Sequence, residues 1–305
     1  MMQLMVKDPV TSSPFYAWFR VIRPLNLIII AIAIVVLRYS YHGAFTNGGD
    51  WLLECLITLP LVFLAAGGNI INDYFDIKED RINKPERALV GRVLKRRIAL
   101  VSRWTLTAIG IVLAASLCWK IGNYIPLVIA IAISFVLFFY STKLKGRVLI
   151  GNFAVAASIS SVIPFSYADE IDTSMTTLMN LTMFIWEFGA LLGLTFIIVF
   201  TRELAKDIED IDGDKNAGHL TFPIAYSPQA SWRLITALVT ILIFSVIWIN
   251  ISTELDVTIG LFTGVTLSIA YFTWKKKATQ VSAWLKLLLA AGLLLCYITN
   301  AGGLI

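Results

Sequence analysis

Two stretches form the densest acidic clusters of the chain, and their spacing matches. The first reads Asn69-Ile70-Ile71-Asn72-Asp73-Tyr74-Phe75-Asp76-Ile77-Lys78-Glu79-Asp80. The second reads Arg202-Glu203-Leu204-Ala205-Lys206-Asp207-Ile208-Glu209-Asp210-Ile211-Asp212-Gly213-Asp214. Asp73, Asp76 and Asp80 stand at i, i+3 and i+7, and Asp207, Asp210 and Asp214 repeat that interval. On a helix such a set falls within about 60° on one face. Asn69 shares the first face and Asn72 borders it; Glu203 takes in the second the place that Asn69 holds in the first. Asp212 and Glu209 point elsewhere if the helix continues. Gly213 is a candidate helix end, which leaves the choice among Asp210, Asp212 and Asp214 open.

Carboxylates crowded on one face repel each other unless cations neutralise them. Hard oxygen donors suit Mg²⁺, which typically takes one or two carboxylates together with substrate phosphates. Two such faces can hold metal ions on either side of one diphosphate and stabilise charge on departing pyrophosphate. The competing reading is a solvated acidic helix end at a membrane surface; two clusters of matched spacing weigh against it. Basic residues lie close to the clusters. Lys84, Arg87, Lys143, Lys145 and Arg202 are candidate phosphate contacts, Lys as a point charge and Arg as a planar fork. The tract Arg92–Arg97 and Lys275–Lys277 read instead as charges that set topology. Arg23 and Asn26 stand where the first apolar run begins, and either snorkel or line the site.

The elements that must position these residues are membrane helices. Of the 305 residues, 58% are hydrophobic and only 15% charged, with a mean hydropathy of +0.78. Soluble domains carry about 25% charged residues, so a soluble fold is excluded. Runs of about 20 apolar residues span the hydrocarbon. Nine are expected, over 21–41, 52–74, 99–119, 123–141, 148–167, 182–204, 232–252, 256–274 and 283–303. Phe15, Tyr16, Trp18, Phe19 and Arg20 ahead of them read as an interfacial anchor, and no cleavable leader is expected.

All but Arg38 and Lys120 of the 25 lysines and arginines fall in or beside the N-terminus and alternate loops. The loops around Asp169, Glu170 and Asp172, and around Glu254 and Asp256, carry none. The positive-inside rule then predicts a cytoplasmic N-terminus, both acidic clusters cytoplasmic, and the C-terminus outside. The net charge of +5 belongs to these loops and anionic headgroups; no zinc finger, basic stripe or RNP-type motif points to nucleic acid, and no protein partner is evident. The three cysteines read as small buried side chains, and His42 and His219 as too few and too far apart to suggest a metal site by themselves. With no linker or low-complexity segment, residues 1–305 read as one integral-membrane domain.

The motifs Asn72-Asp73-x-x-Asp76-x-x-x-Asp80 with Asn83-Lys84-Pro85-x-Arg87, and Lys206-Asp207-x-x-Asp210-x-x-x-Asp214 with Gly218-x-x-Thr221-x-Pro223, resemble those of the UbiA superfamily of membrane prenyltransferases. Arg23-Pro24-x-Asn26 and Tyr140-Ser141-x-x-Leu144-Lys145 are weaker echoes. The resemblance runs from the first apolar run to the seventh; the last two match in hydropathy alone. It implies an all-α polytopic fold of about nine transmembrane helices around a central cavity. It implies Mg²⁺ as cofactor, with Asn72, Asp73, Asp76, Asp80, Asp207, Asp210 and Asp214 as metal and diphosphate residues. Asp73, Asp76, Asp207, Asp210 and Lys143 would carry catalysis, and Arg23, Asn26, Asn69, Asn72, Arg87, Lys145 and Arg202 would bind substrate. The substrates implied are a prenyl diphosphate and a lipophilic acceptor. Phe135, Phe138, Phe139, Tyr140, Phe196 and Phe200 are candidates for stabilising an allylic cation. The wording Arg-Glu-x-x-Lys-Asp-Ile-Glu-Asp is most similar to geranylgeranylglyceryl-phosphate geranylgeranyltransferases of ether-lipid synthesis. Aromatic prenyltransferases of quinone or tetrapyrrole synthesis are the alternative. A secondary transporter is the distant rival, disfavoured because its acids would lie near the bilayer midplane. The localisation expected is the plasma (inner) membrane.

Overall fold

The computed structural model describes residues 13–42, 49–77, 88–171, 177–252 and 256–301. Asp80, Lys84 and Arg87 lie outside the described residues, so the structure places neither the third carboxylate of the first cluster nor the basic motif after it.

The chain opens with α1 (Pro14–Ile22), whose cap Ser13 accepts from the Tyr16 amide and whose Pro14 occupies the first turn, where a missing N–H costs nothing. Arg23 ends it with φ 57°. The following Pro24 disfavours the right-handed helical region at Arg23, so the chain turns there before α2 (Pro24–His42). Next come α3 (Trp51–Phe75), α4 (Arg96–Ile121) and α5 (Ile125–Phe139). A π-helical turn, Tyr140–Leu144, continues α5. Then follow α6 (Ile150–Ser160), α7 (Val162–Ser166), α8 (Thr177–Glu209), α9 (Ile211–Ala217) and α10 (Phe222–Ala225). The last three are α11 (Pro228–Ser252), α12 (Asp256–Trp274) and α13 (Ala278–Ala301).

Seven of the described helices are long and apolar enough to cross a membrane. Two of the nine expected runs are not among them. Run 148–167 is split at Ser161 into α6 and α7. Pro164 explains the break: it cannot donate, and its ring crowds the carbonyl four residues back, which belongs to Ser160, the last residue of α6. Run 256–274 forms α12.

Two packed halves make up the bundle. Ile34, Ile57, Leu61, Leu64, Leu117, Ile133 and Phe165 join α2, α3, α4, α5 and α7. Ile198, Leu204, Ile235, Leu242, Ile269 and Leu285 join α8, α11, α12 and α13. Leu37, Ile163, Tyr167 and Phe188 connect the halves. Between α3 and α4 the backbones approach closely: a Cβ on Gly110 would stand 3.0 Å from the Pro60 carbonyl oxygen, and one on Gly67 2.8 Å from Thr107 Oγ1. Small residues permit this approach where lipid supplies no hydrophobic drive between helices. Ile28, Ile32, Val112, Phe244, Trp248 and Leu267 are exposed, the outward apolar surface that lipid covers.

The two ends of the bundle differ. Arg38 and Lys120 stand at one end, each held by acids. Arg38 Nη2 meets Glu54 Oε1 at 2.8 Å, its Nη1 meets Asp169 Oδ1 at 2.6 Å, and Lys120 meets Asp50 at 2.7 Å. The aspartate clusters stand at the other end.

Candidate active site

The first cluster sits where α3 finishes. Asp73 lies in the last turn and Asp76 follows the helix as its cap, its amide bonded to the Asn72 carbonyl at 2.9 Å. Arg23, turned out by the bend before Pro24, places Nη2 2.5 Å from Asp73 Oδ1. Asn69 donates 2.9 Å to the Ile22 carbonyl and so fixes the end of α1 against α3. Asn72 Nδ2 donates to Asp76 Oδ2 at 2.6 Å, and Lys145 Nζ reaches Asp76 Oδ1 at 2.7 Å. Asp76 is buried, a position a carboxylate holds only with such partners. Asn26 is exposed beyond this group, with its amide on the Arg23 carbonyl.

The second cluster departs from one continuous helix. Asp207, Asp210 and Asp214 were expected on one face of one helix, with Gly213 as its end. Instead α8 stops at Glu209, Asp210 makes the break with φ −99° and ψ 13°, and Gly213 lies inside α9. Asp favours helix ends over interiors because its side chain competes for backbone groups. Asp210 and Asp212 are exposed, whereas Asp214 is half-buried and close enough to act electrostatically on Asp207. The structure thus sets Asp214 beside Asp207 and leaves Asp210 at the rim. Asp207 accepts 2.8 Å from Asn152 Nδ2 on α6. Buried Glu203 holds Arg202 at 2.5 Å and Lys206 at 2.8 Å. Asp214 Oδ1 faces His219 Nδ1 at 3.4 Å.

The π-helical turn lies between the two clusters. Asp76, Glu203, Asp207 and Asp214 are all near enough to act electrostatically on the Tyr140 hydroxyl. Beside it a cavity of about 290 Å³ is lined by Phe75, Asp76, Ser141, Thr142, Lys143, Lys145, Gly146, Gly218 and His219. The segment after the π-turn pairs with the segment after α9: the Leu220 amide bonds the Gly146 carbonyl at 2.9 Å, and Arg147 bridges Leu220. A Cβ on Gly146 would stand 2.7 Å from the His219 ring, so only glycine lets the two segments close. Lys143 is exposed at this cavity and has no ion-pair partner among the described residues.

Asn152 and His219 lie at the candidate site although motif spacing alone did not single them out. Asn152 had a signal, a carboxamide inside an apolar run, which in a membrane helix marks a functional or paired position. The candidate aromatics separate into two groups. Phe196 and Phe200 stack at 6.0 Å on the stripe of α8 that carries Glu203 and Asp207, and Phe153 packs on Phe196 at 5.1 Å. On α5 the Phe139 ring contacts both Phe135 and Phe138.

Residues 27–291 match the model of the UbiA prenyltransferase family. A digeranylgeranylglyceryl phosphate synthase of Methanobrevibacter smithii is 30% identical over 296 residues, covering 94% of this chain and 97% of its own. A solved structure described as digeranylgeranylglyceryl phosphate synthase superposes with a TM-score of 0.70 at 26% identity, over 94% of this chain and 98% of that one. The fold is shared further with a UbiA homologue from Archaeoglobus fulgidus solved with GPP and Mg²⁺, at a TM-score of 0.62 and 16% identity, over 92% of this chain and 99% of that one.

Proposed function

The chain belongs to the UbiA prenyltransferase family, and from that premise we propose that it moves a geranylgeranyl group from its diphosphate to geranylgeranylglyceryl phosphate, a step of ether-lipid synthesis. The observation that carries the prenyl-transfer site is the convergence of both acidic helix ends around Tyr140. The acceptor is supported by the likeness, over nearly the whole chain, to a digeranylgeranylglyceryl phosphate synthase.

The donor set fits Mg²⁺, because the converging groups are carboxylate and carboxamide oxygens, with no thiolate among those described. Asn72, Asp73, Asp76, Asp207, Asp210 and Asp214 are the residues that would hold it. When bound, Mg²⁺ supplies neutralisation of the diphosphate and stabilises charge on the leaving pyrophosphate.

The chain's own groups do the rest. Arg23 and Lys145 hold Asp73 and Asp76 in the structure described. A diphosphate brings its own negative charge, which would draw Arg23 and Lys145 toward it and leave Asp73 and Asp76 as the carboxylates that would hold the metal. Lys143 adds a point charge from the cavity wall and Arg202 a planar fork. Asn152 keeps Asp207 in place and Asn69 keeps Arg23's helix end in place. Phe196 and Phe200 share the helix stripe of Asp207, with Phe153 packed on Phe196, and ring faces at that position can stabilise an allylic cation. The acceptor hydroxyl then attacks the allylic carbon as the C–O bond to diphosphate breaks, and its proton passes to the released pyrophosphate or to water.

We place the aspartate end on the cytoplasmic face of the plasma membrane and the C-terminus outside, with residues 1–305 as one catalytic domain. The support is the charge asymmetry, since among the described residues Arg38 and Lys120 are the basic side chains that stand with acids at the opposite end. The test is an in vitro assay of purified protein with geranylgeranyl diphosphate, Mg²⁺ and a panel of acceptors, products identified by mass spectrometry. Geranylgeranylglyceryl phosphate is expected to be prenylated. Transfer only to an aromatic or tetrapyrrole acceptor overturns the acceptor, and full activity of both Asp73→Ala and Asp207→Ala overturns the site.

A further inference from the structure

The end of the bundle away from the aspartate clusters holds a side-chain set that prenyl transfer does not use. His42 closes α2, and Asp169 and Glu170 lie in the turn after α7. One ligand atom of each stands within 4.8 Å of the others. His42 is distant in sequence from the adjacent Asp169 and Glu170, which hid the set; the fold pairs His42 with carboxylates instead of with His219.

The contacts within the set are those of ligands rather than of hydrogen-bond partners. His42 Nε2 and Glu170 Oε1 are 3.6 Å apart, and Nε2 is buried with no hydrogen-bond partner among the described residues. Around a tetrahedral ion with bonds of about 2.0–2.1 Å, neighbouring ligand atoms stand about 3.3 Å apart. The Asp169 side chain is 8% exposed. Its Oδ1 accepts from Arg38, while Oδ2 is buried without a hydrogen-bond partner among the described residues. Buried polar atoms are otherwise almost always satisfied, so two orphans in one cluster point to a missing partner.

Charge points the same way. Arg38 holds both oxygens of Glu54, at 2.8 and 3.0 Å, as well as Asp169. The guanidinium is thus shared between two carboxylates, and Glu170 adds a third carboxylate beside His42.

We propose that His42, Asp169 and Glu170 bind a divalent transition metal, with Zn²⁺ as the best fit, at the end of the protein opposite the prenyl-transfer site. Imidazole with two carboxylates suits Zn²⁺, whereas Mg²⁺ and Ca²⁺ call for oxygen ligands alone. Three protein ligands leave the fourth position to water. The metal's role is structural. It ties the end of α2 to the turn after α7, where Tyr167 Oη already donates 2.7 Å to the Leu37 carbonyl and Arg38 donates 3.1 Å to the Ser166 carbonyl.

The test uses full-length purified protein loaded with Zn²⁺, dialysed, and measured for metal by elemental analysis and for its thermal midpoint. About one equivalent is expected to remain in the wild type and in an Asp73→Ala/Asp207→Ala variant. It is expected to be lost in His42→Ala and in Glu170→Gln, and Zn²⁺ is expected to raise the midpoint of the wild type and of the Asp73→Ala/Asp207→Ala variant but of neither single variant. Glu170→Gln leaves the Arg38–Asp169 pair intact, so it reads binding even if His42→Ala folds poorly. No retained metal in the wild type, equal retention in both single variants, or loss confined to the aspartate-cluster variant overturns the site. A midpoint that responds to pH but not to Zn²⁺ does so too, since it marks a His42–Glu170 ion pair.

Discussion

Asn152 donates from Nδ2 to Asp207 Oδ2 across 2.8 Å, tying α6 to the acidic end of α8. The bond takes one lone pair of Asp207 and fixes the direction of the rest. Partners that orient metal-binding carboxylates typically change affinity or activity about 10–100-fold when removed. Asn152→Ala is expected to lower kcat within that range and raise the Mg²⁺ concentration for half-maximal rate. Asn152→Asp is expected to be worse, because a second carboxylate would face Asp207. A Mg²⁺ titration of both variants decides it; unchanged half-saturation in Asn152→Ala means the bond only packs α6 on α8.

Arg23 and Asp73 form a pair at 2.5 Å, but the Arg23 side chain is 43% exposed. Pairs this open contribute about 0–1 kcal/mol to stability. Arg23→Ala is therefore expected to leave the thermal midpoint almost unchanged while raising KM for the prenyl diphosphate about tenfold, equivalent to about 1.4 kcal/mol. Arg23→Lys is expected to recover only part of that, because an ammonium lacks the planar fork. A midpoint that drops with KM unmoved would make the pair structural.

Lys145 and Asp76 make the opposite case, since the Asp76 side chain is only 8% exposed. Removing a cation from a buried carboxylate leaves that charge poorly compensated. Lys145→Met is expected to lower the thermal midpoint in EDTA. Added Mg²⁺ is expected to raise the midpoint more in the variant than in the wild type, because a divalent cation can replace the lost ammonium. Equal Mg²⁺ shifts in both proteins would place the metal away from Asp76.

Much of this was legible in the residues. The apolar runs fall on helices because bilayer thickness imposes one length on every span. The acidic clusters fall at one end because helices of that length carry successive loops to alternate sides. What stayed hidden is set by contact between distant segments or by local backbone breaks. The Asn152–Asp207 bond joins two runs that sequence alone cannot pair. The break at Asp210 moves Asp214 onto α9, which a constant 100° per residue does not foresee. The Pro164 break in run 148–167 could have been read, since a proline inside a helical pattern ends or kinks it. Tyr140 was read as one aromatic among six; only the π-turn sets it between the clusters.

Gly110 and Gly193 give one substitution two opposite signs. A Cβ on Gly110 would stand 3.0 Å from both the Pro60 carbonyl oxygen and Leu64 Cγ, whereas one on Gly193 meets nothing within 4 Å. Backbone oxygen cannot move aside without parting α3 from α4, and overpacking of this kind costs about 1–3 kcal/mol. Gly110→Ala is expected to destabilise by that amount, and Gly110→Leu by more. Gly193→Ala meets no such contact, and alanine favours the helix by up to about 1 kcal/mol. It is expected to be neutral or stabilising. Unfolding in detergent compares the two directly. Equal losses at both positions would mean that α3 and α4 do not approach as closely as Gly67 and Gly110 allow. The same result would loosen the wall on which Asp73 and Asp76 are mounted, because both stand at the end of α3.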